Sequence, residues 1–151
     1  MSTPKTNPAD GDTRLLSSDA LRGQATAAIE RALAEGEPLS LVACIPQQLP
    51  GERASGVVGV AAACIDTLLR GDDFVGLIES DVLAIALPDT DAAGARVLAF
   101  RIKGELRLRT AHLRSTVWEA GCASLPDDGS TVDDLIAAAL QSAKMSRRNA
   151  A

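Results

Sequence analysis

Apolar positions along the chain alternate between two periods, and the alternation predicts a mixed domain. Leu21, Ala25, Ala28, Ile29, Ala32 and Leu33 recur at helical spacing after Asp19, a capping residue, and stop at Gly36, which predicts a helix over about 19–35. The continuous apolar run 39–45, closed by Pro46 and Pro50, predicts a strand buried on both faces. Val57, Ala61, Cys64, Ile65, Leu68 and Leu69 form a second helical face ending near Gly71. The runs 74–78 and 82–87, separated by Glu79, Ser80 and Asp81, predict a hairpin. Asp89, Thr90 and Asp91 then start a third helix with Ala95, Leu98, Ala99, Ile102 and Leu106 on its apolar face, and Gly104 marks a point where it could stop or break. A strand over 116–123 follows, and Ser130, Thr131, Asp133 and Asp134 cap a last helix bearing Val132, Leu135, Ile136, Ala139 and Leu140. The order α, β, α, β, β, α, β, α predicts an α+β fold, a two-layer sandwich in which two helices lie on a mixed β-sheet. Residues 1–13 lack any apolar period and are expected to form a disordered tail before a single domain over 14–151.

Composition narrows the function classes. A chain of 151 residues, 46% hydrophobic, can bury its own core. Aromatic residues make up only 2%, so no platform for stacking successive bases exists, and a net charge of −5 provides no global attraction for nucleic acid or anionic lipid. Basic residues cluster only locally, at Arg96, Arg101, Lys103, Arg107, Arg109 and Arg114. Cys44, Cys64 and Cys122 are widely spaced within apolar runs and read as reduced core residues, and with His112 the only histidine no zinc spacing exists. No apolar stretch approaches the ~20 residues of a membrane span and the first residues lack a signal-peptide core, so a cytoplasmic protein without membrane contact is expected.

One segment carries more information than the rest. In RGDDFVGLIESDVLAIALPDTD, residues 70–91, Arg70 and Asp73 form an Arg-x-x-Asp motif, five residues precede the turn Glu79-Ser80-Asp81-Val82-Leu83, and a hydrophobic run leads to Pro88. This block resembles the signature region of GGDEF domains, the bacterial diguanylate cyclase family. The resemblance covers about residues 14–149: Asp19-Ala20-Leu21-Arg22-Gly23 resembles the family's D-x-L-T-G, Gly121-Cys122-Ala123-Ser124-Leu125-Pro126 its G-V-A-x-x-P, and Ala143-Lys144 with Arg147-Arg148-Asn149 its A-K-x-x-G-R-N. It implies the nucleotidyl cyclase palm, a ferredoxin-like architecture.

The same resemblance implies that catalysis is lost. Active members hold a metal on carboxylates to join two GTP molecules. The family's first metal-binding Asp falls on Ile45, the next acidic position on Gln47, the signature Glu on Val82, and the two phosphate-approaching glycines on Glu79 and Ser80. Isoleucine and valine offer magnesium no oxygen, and a carboxylate at Glu79 repels phosphate. The interval from Ile45 to Arg70 is also several residues short, and no Asn lies between Asn7 and Asn149 to read guanine. No catalytic residue, metal or cofactor is therefore expected.

The resemblance also implies that the family's regulatory site is retained. That site grips an intercalated dimer of cyclic di-GMP through the Arg and Asp of Arg-x-x-Asp and a second Arg on the following helix, which fall on Arg70, Asp73 and Arg101. Guanidinium groups donate to guanine O6 and N7 or to phosphate, while a carboxylate accepts from guanine N1–H and N2–H. Read without the resemblance, Arg70 and Asp73 are an exposed i, i+3 ion pair at the end of the second helix, and Arg96, Lys103, Arg107, Arg109 and Arg114 are a solvated basic face. Likewise Asp72 is a turn residue, Glu79 and Asp81 solvated turn acids, Trp118 a core filler, Glu119 exposed or ion-paired, and His112 a surface residue. Three functions follow: a catalytically inactive cyclic di-GMP receptor signalling to a protein partner, with ligand-linked homodimerisation as an output; a GGDEF-like interaction module binding no nucleotide; or a residual nucleotide-processing enzyme.

Overall fold

The computed structural model describes residues 15–47, 55–79, 82–109 and 117–150. Along the chain these form β1 (Leu15–Leu16), α1 (Ser18–Glu35), β2 (Leu39–Gln47), α2 (Ser55–Asp66), β3 (Phe74–Leu77), β4 (Leu83–Pro88), α3 (Ala92–Arg109), β5 (Val117–Ser124) and α4 (Val132–Ala150). The strands make one sheet in the order β1-β3-β4-β2-β5, with β1 parallel to β3 and the other pairs antiparallel.

Local signals account for the helix limits. The N-cap of α1 is Ser17, two residues ahead of the expected Asp19: its Oγ accepts the Ala20 N–H at 3.1 Å, and Asp19 instead lies in the first turn, where its charge suits the helix dipole. Gly36 ends the helix in the left-handed region at φ 68°. Asp91 Oδ1 accepts the Gly94 N–H to start α3, and Thr131 Oγ1 accepts the Asp134 N–H while Asp134 Oδ2 accepts the Ser130 N–H at the head of α4. Gly104 neither ends nor breaks α3, which runs on to Arg109. Helix α2 stops at Asp66, earlier than the apolar pattern predicts. There Thr67 Oγ1 donates to the Cys64 carbonyl and three successive N–H groups, from Thr67 to Leu69, bond i−3 carbonyls, tightening the chain into the turn that carries Arg70.

The order of the strands is that of two interlocked split βαβ units. Helix α2 links β2 to β3 with β4 between them, and α3 links β4 to β5 with β2 between them. Alternation along β2 then separates two cores: Val42 and Cys44 join a cluster with Val58, Ile65, Ile102, Leu106 and Trp118, while Leu39, Leu41 and Ala43 join Leu21, Ile29, Leu135 and Ala139. The expected α+β sandwich of sheet and crossover helices is therefore present, and α1 and α4 add a second helical cover on the opposite face. Four helices pack on the sheet where the sequence pattern accounted for two. Helix α4 lies so close to β5 that a Cβ on Gly121 would collide with the backbone of Ala139 and Ala143.

Strand β1 went unrecognised in the sequence because two residues hold no period. Its Leu15 and Leu16 pair with Val75 and Gly76, which are far away in the chain. The expected tail over residues 1–13, His112, Arg114, Ser80 and Asp81 lie outside the described residues. No described helix is long and apolar enough to cross a membrane.

Candidate functional site

The turn between α2 and β3 brings Arg70 and Asp73 together. Asp73 Oδ2 accepts the backbone N–H of Arg70 at 2.9 Å, the Asp73 N–H returns to the Arg70 carbonyl at 3.1 Å, and the guanidinium Nε lies 3.5 Å from the same Oδ2. The ion pair is therefore part of a closed turn, beyond the helix end where the sequence put it. Its two members differ in exposure: the Arg70 side chain is 64% exposed and that of Asp73 only 2%. Asp73 Oδ1 is buried and, among the described residues, has no hydrogen-bond partner.

From that turn the guanidinium of Arg70 reaches across to the β4–α3 connection. Its Nη2 donates to Thr90 Oγ1 at 2.6 Å and to the Pro88 carbonyl at 3.3 Å. Thr90 adopts its place because its own carbonyl accepts from the buried Ser40 hydroxyl on β2 at 2.8 Å. Arg70 is thus exposed yet engaged, with Thr90, Pro88 and Asp73 as partners.

Beside Pro88 opens a cleft of about 440 Å³ between α1 and the ends of β3 and β4. Arg31, Glu35, Glu37, Asp72, Phe74 and Asp89 help line it. Asp72, a turn residue by sequence, is exposed at this rim, and nothing in the sequence marks Arg31. On α1 it looks like any solvated cation, and only the sheet topology brings it next to a turn 39 residues later. Arg101 stands apart. It is exposed on α3, about 14 Å along the axis from Ala92 at 1.5 Å per residue, and among the described residues no hydrogen bond or ion pair joins it to Arg70 or Asp73.

At the other end of the hairpin the chemistry is apolar. Val82 is buried at 5% exposure and Ile45 is half-buried against the same cluster, with Ile78 and Leu16 among its members. Cys44 pairs with Leu83, so Ile45 and Val82 sit side by side just past that pair. The Ile78 N–H donates to the Val82 carbonyl at 3.0 Å, closing the turn, and Glu79 is exposed within it. No group of three or more His, Cys, Asp or Glu that could hold a metal occurs among the described residues. Glu119 is buried and ion-paired with Lys103 at 3.3 Å, Arg109 pairs with Glu105, and Trp118 fills the core as expected.

The three thiols are free, with Cys44 and Cys64 buried and Cys122 half-buried. Burial pushes the Cys44 thiol up to about 12, and raises Cys64 and Cys122 as well. None is an activated nucleophile.

Comparison with solved structures places this arrangement. A sensory box/GGDEF family protein from Caulobacter crescentus superposes with a TM-score of 0.74 at 20% identity, covering 96% of this chain and 99% of that one. The fold is that of a GGDEF domain. The GGDEF domain of DgcB from the same organism, in complex with c-di-GMP, gives a TM-score of 0.74 at 18% identity over 99% of this chain and 91% of that one. Diguanylate cyclase SiaD from Pseudomonas aeruginosa, in complex with its activator SiaC, gives 0.80 at 17% identity over 96% of this chain and 60% of that one. No protein-family model and no curated protein matches the sequence. Within this fold, Arg70 and Asp73 lie in the turn before the β3–β4 hairpin, and Ile45 and Val82 lie at neighbouring positions, in β2 and just ahead of β4.

Proposed function

We propose that this GGDEF-fold domain is a catalytically inactive receptor for cyclic di-GMP that binds through Arg70, Asp73 and Arg101 and signals to a protein partner. The observation that carries the reading is the buried Asp73 carboxylate: one oxygen is used inside the turn and the other, Oδ1, has no partner among the described residues, next to an exposed guanidinium whose displacement by a ligand would leave that acceptor to be satisfied. A guanine edge offers N–H donors for such an oxygen and acceptors for Arg70 and Arg101. The complex of the DgcB GGDEF domain with c-di-GMP supports this ligand class, and the SiaD–SiaC complex supports a protein partner. Arg31 and the cleft beside Pro88 provide further polar surface for a ligand larger than one base.

Loss of catalysis is supported by the packing of Ile45 and Val82 into one apolar cluster where metal-binding carboxylates would be needed. Neither side chain carries an oxygen that could hold magnesium. No metal or cofactor belongs to this reading.

Isothermal titration tests it. Cyclic di-GMP is expected to bind at micromolar concentration or tighter, Arg70→Ala and Asp73→Asn to weaken binding at least tenfold, and Arg101→Ala to weaken it by a smaller factor. Absence of heat, or heat unchanged in Arg70→Ala, overturns the receptor. Any ligand-linked homodimer would appear in light scattering only after cyclic di-GMP is added.

One observation favours the second reading, an interaction module that binds no nucleotide. Arg70 already has Thr90, Pro88 and Asp73 as partners, as a purely structural arginine would. Thermal shift separates the two, since a ligand selective for the folded state raises the melting temperature by mass action.

A further inference from the structure

The outer face of α3 carries an apolar stripe that nothing in the described chain covers. Val97 is 66% exposed, Phe100 82% and Leu108 73%. In a chain that is only 2% aromatic, leaving a phenylalanine in water is unusual, and isolated exposed apolar residues differ from a contiguous set on one element. At 3.6 residues per turn, Val97, Phe100, Gly104 and Leu108 fall within an arc of roughly 80°. That arc lies opposite Ala95, Ala99, Ile102 and Leu106, which bury the inner face on the sheet. The helix is therefore apolar on two sides, although only one is needed to hold it in the fold.

Gly104 sits in the middle of the stripe. A Cβ at this position would meet nothing within 4 Å, so no internal contact requires glycine there. Glycine in a helix interior is destabilising relative to alanine. What it creates is a notch between Phe100 and Leu108, open to solvent, of the kind that receives a side chain from a crossing helix. A bilayer surface has no use for such a notch.

Charge decides the occupant. Helix α3 holds five basic residues and one acidic, a net of +4 within a chain of −5, which leaves −9 for everything else. Arg96 and Arg107 flank one side of the stripe and Arg101 the other, all exposed. Lys103 is paired with Glu119 and Arg109 with Glu105, so a second copy docking α3 against α3 would oppose the exposed Arg96, Arg101 and Arg107 with the same three cations. No other described element offers a copy an apolar stripe, because outside α3 the exposed large hydrophobics are Leu33 and Met145 alone. We infer that the outer face of α3 docks an acidic amphipathic helix of a partner protein, with apolar residues seated on Val97, Phe100 and Leu108, one side chain in the Gly104 notch, and acidic flanks on Arg96 and Arg107. This surface names the chemistry of the partner and does not depend on nucleotide binding.

The experiment uses the full chain without nucleotide and a fluorescein-labelled synthetic helix of about five turns,, with Leu at i, i+3, i+4 and i+7 positions and Glu on both flanks. Fluorescence anisotropy is expected to show saturable binding at micromolar concentration, weakened at least tenfold by Phe100→Ala, by Gly104→Leu, and by replacing the peptide's Glu with Lys. Because position 104 is open space in a helix, Gly104→Leu is expected to keep or raise the melting temperature while losing the peptide, which a merely structural role would not produce. No peptide binding, or binding unchanged in Phe100→Ala and Gly104→Leu, overturns the inference. So does Phe100-dependent sedimentation with phosphatidylserine vesicles in the absence of peptide binding, which would assign the face to a membrane, or Phe100-dependent self-association in light scattering, which would assign it to a second copy.

Discussion

Asp73 is buried by the very turn that leaves Arg70, its partner three residues earlier, in solvent. The carboxylate is fixed by the Arg70 backbone N–H as well as by its side chain, so the arginine's charge can move while the acid stays in place.

This asymmetry predicts different stability effects for the two residues. Arg70→Ala removes an exposed, screened contact and is expected to change unfolding free energy by less than about 1 kcal/mol. Asp73→Ala removes the acceptor for a backbone N–H and is expected to cost about 1–3 kcal/mol. Urea denaturation measures both. A large loss in Arg70→Ala would show that its bonds to Thr90 and Pro88 hold the fold together, and would favour a structural arginine over a binding one.

Restoring acid to the strand ends should fail. Val82→Glu places a carboxylate at a position that is 5% exposed within an apolar cluster. The unpaired polar group is expected to cost about 2 kcal/mol or more, and neither Val82→Glu nor its combination with Ile45→Asp is expected to turn over GTP with magnesium. Urea midpoints and product chromatography are the measurements. Turnover above a no-enzyme blank in the unaltered protein would contradict the proposed loss of catalysis directly.

Much of this was legible in the chain because it depends on short-range chemistry. The Gly36 stop, the Asp91 start and the Thr131–Asp134 cap are decided by residues a few positions apart, and the apolar runs of β2 and β4 identify strands buried on both sides. The pairing of Arg70 with Asp73 was legible for the same reason. What could not be read depends on the sheet: the two residues of β1 gain their strand character only by pairing with β3, and Arg70 meets Thr90 only after β3 and β4 have formed a hairpin. The stop of α2 at Asp66 was also hidden, because Leu68 and Leu69 continue the apolar period into a turn and still pack against the core. The exposed stripe on α3 was partly concealed by sequence as well, since its residues and those facing the sheet share one helix and blur its period.

Ser40 connects the candidate site to the far side of the sheet. Its hydroxyl has one proton, which it gives to the Thr90 carbonyl at 2.8 Å, so the 2.7 Å contact with Ser124 must be Ser124 donating to Ser40. Ser40→Ala would leave both the Thr90 carbonyl and the Ser124 hydroxyl without their partner in a buried position, at an expected cost of about 1–3 kcal/mol. Ser124→Ala alone should cost less, and the double variant should fall short of the sum by about 0.5 kcal/mol or more, since the two share one network. Additive effects in urea denaturation would show that the contact carries no energy.

Cys44 makes stability depend on alkaline pH. In the fold, burial raises its thiol from an ordinary 9.0 to about 12. Between those values the folded chain keeps its proton while the unfolded chain releases one, so the unfolded state binds fewer protons and stability falls as pH rises. The contribution is whole below pH 9 and is lost on the way to about 12, with a slope near 1.4 kcal/mol per pH unit in the middle of the window. Unfolding midpoints in urea at several values across the lower part of that window should therefore fall more steeply for the unaltered chain than for Cys44→Ala, which has no thiol to titrate. Iodoacetamide at mildly alkaline pH gives an independent reading: Cys44 should resist alkylation in the folded protein and react fully in urea, because only the thiolate is nucleophilic and burial withholds it. Parallel pH profiles for the two chains, together with rapid labelling of Cys44 in the native state, would mean that the strand pair formed by β2 and β4 opens far more readily than its packing indicates.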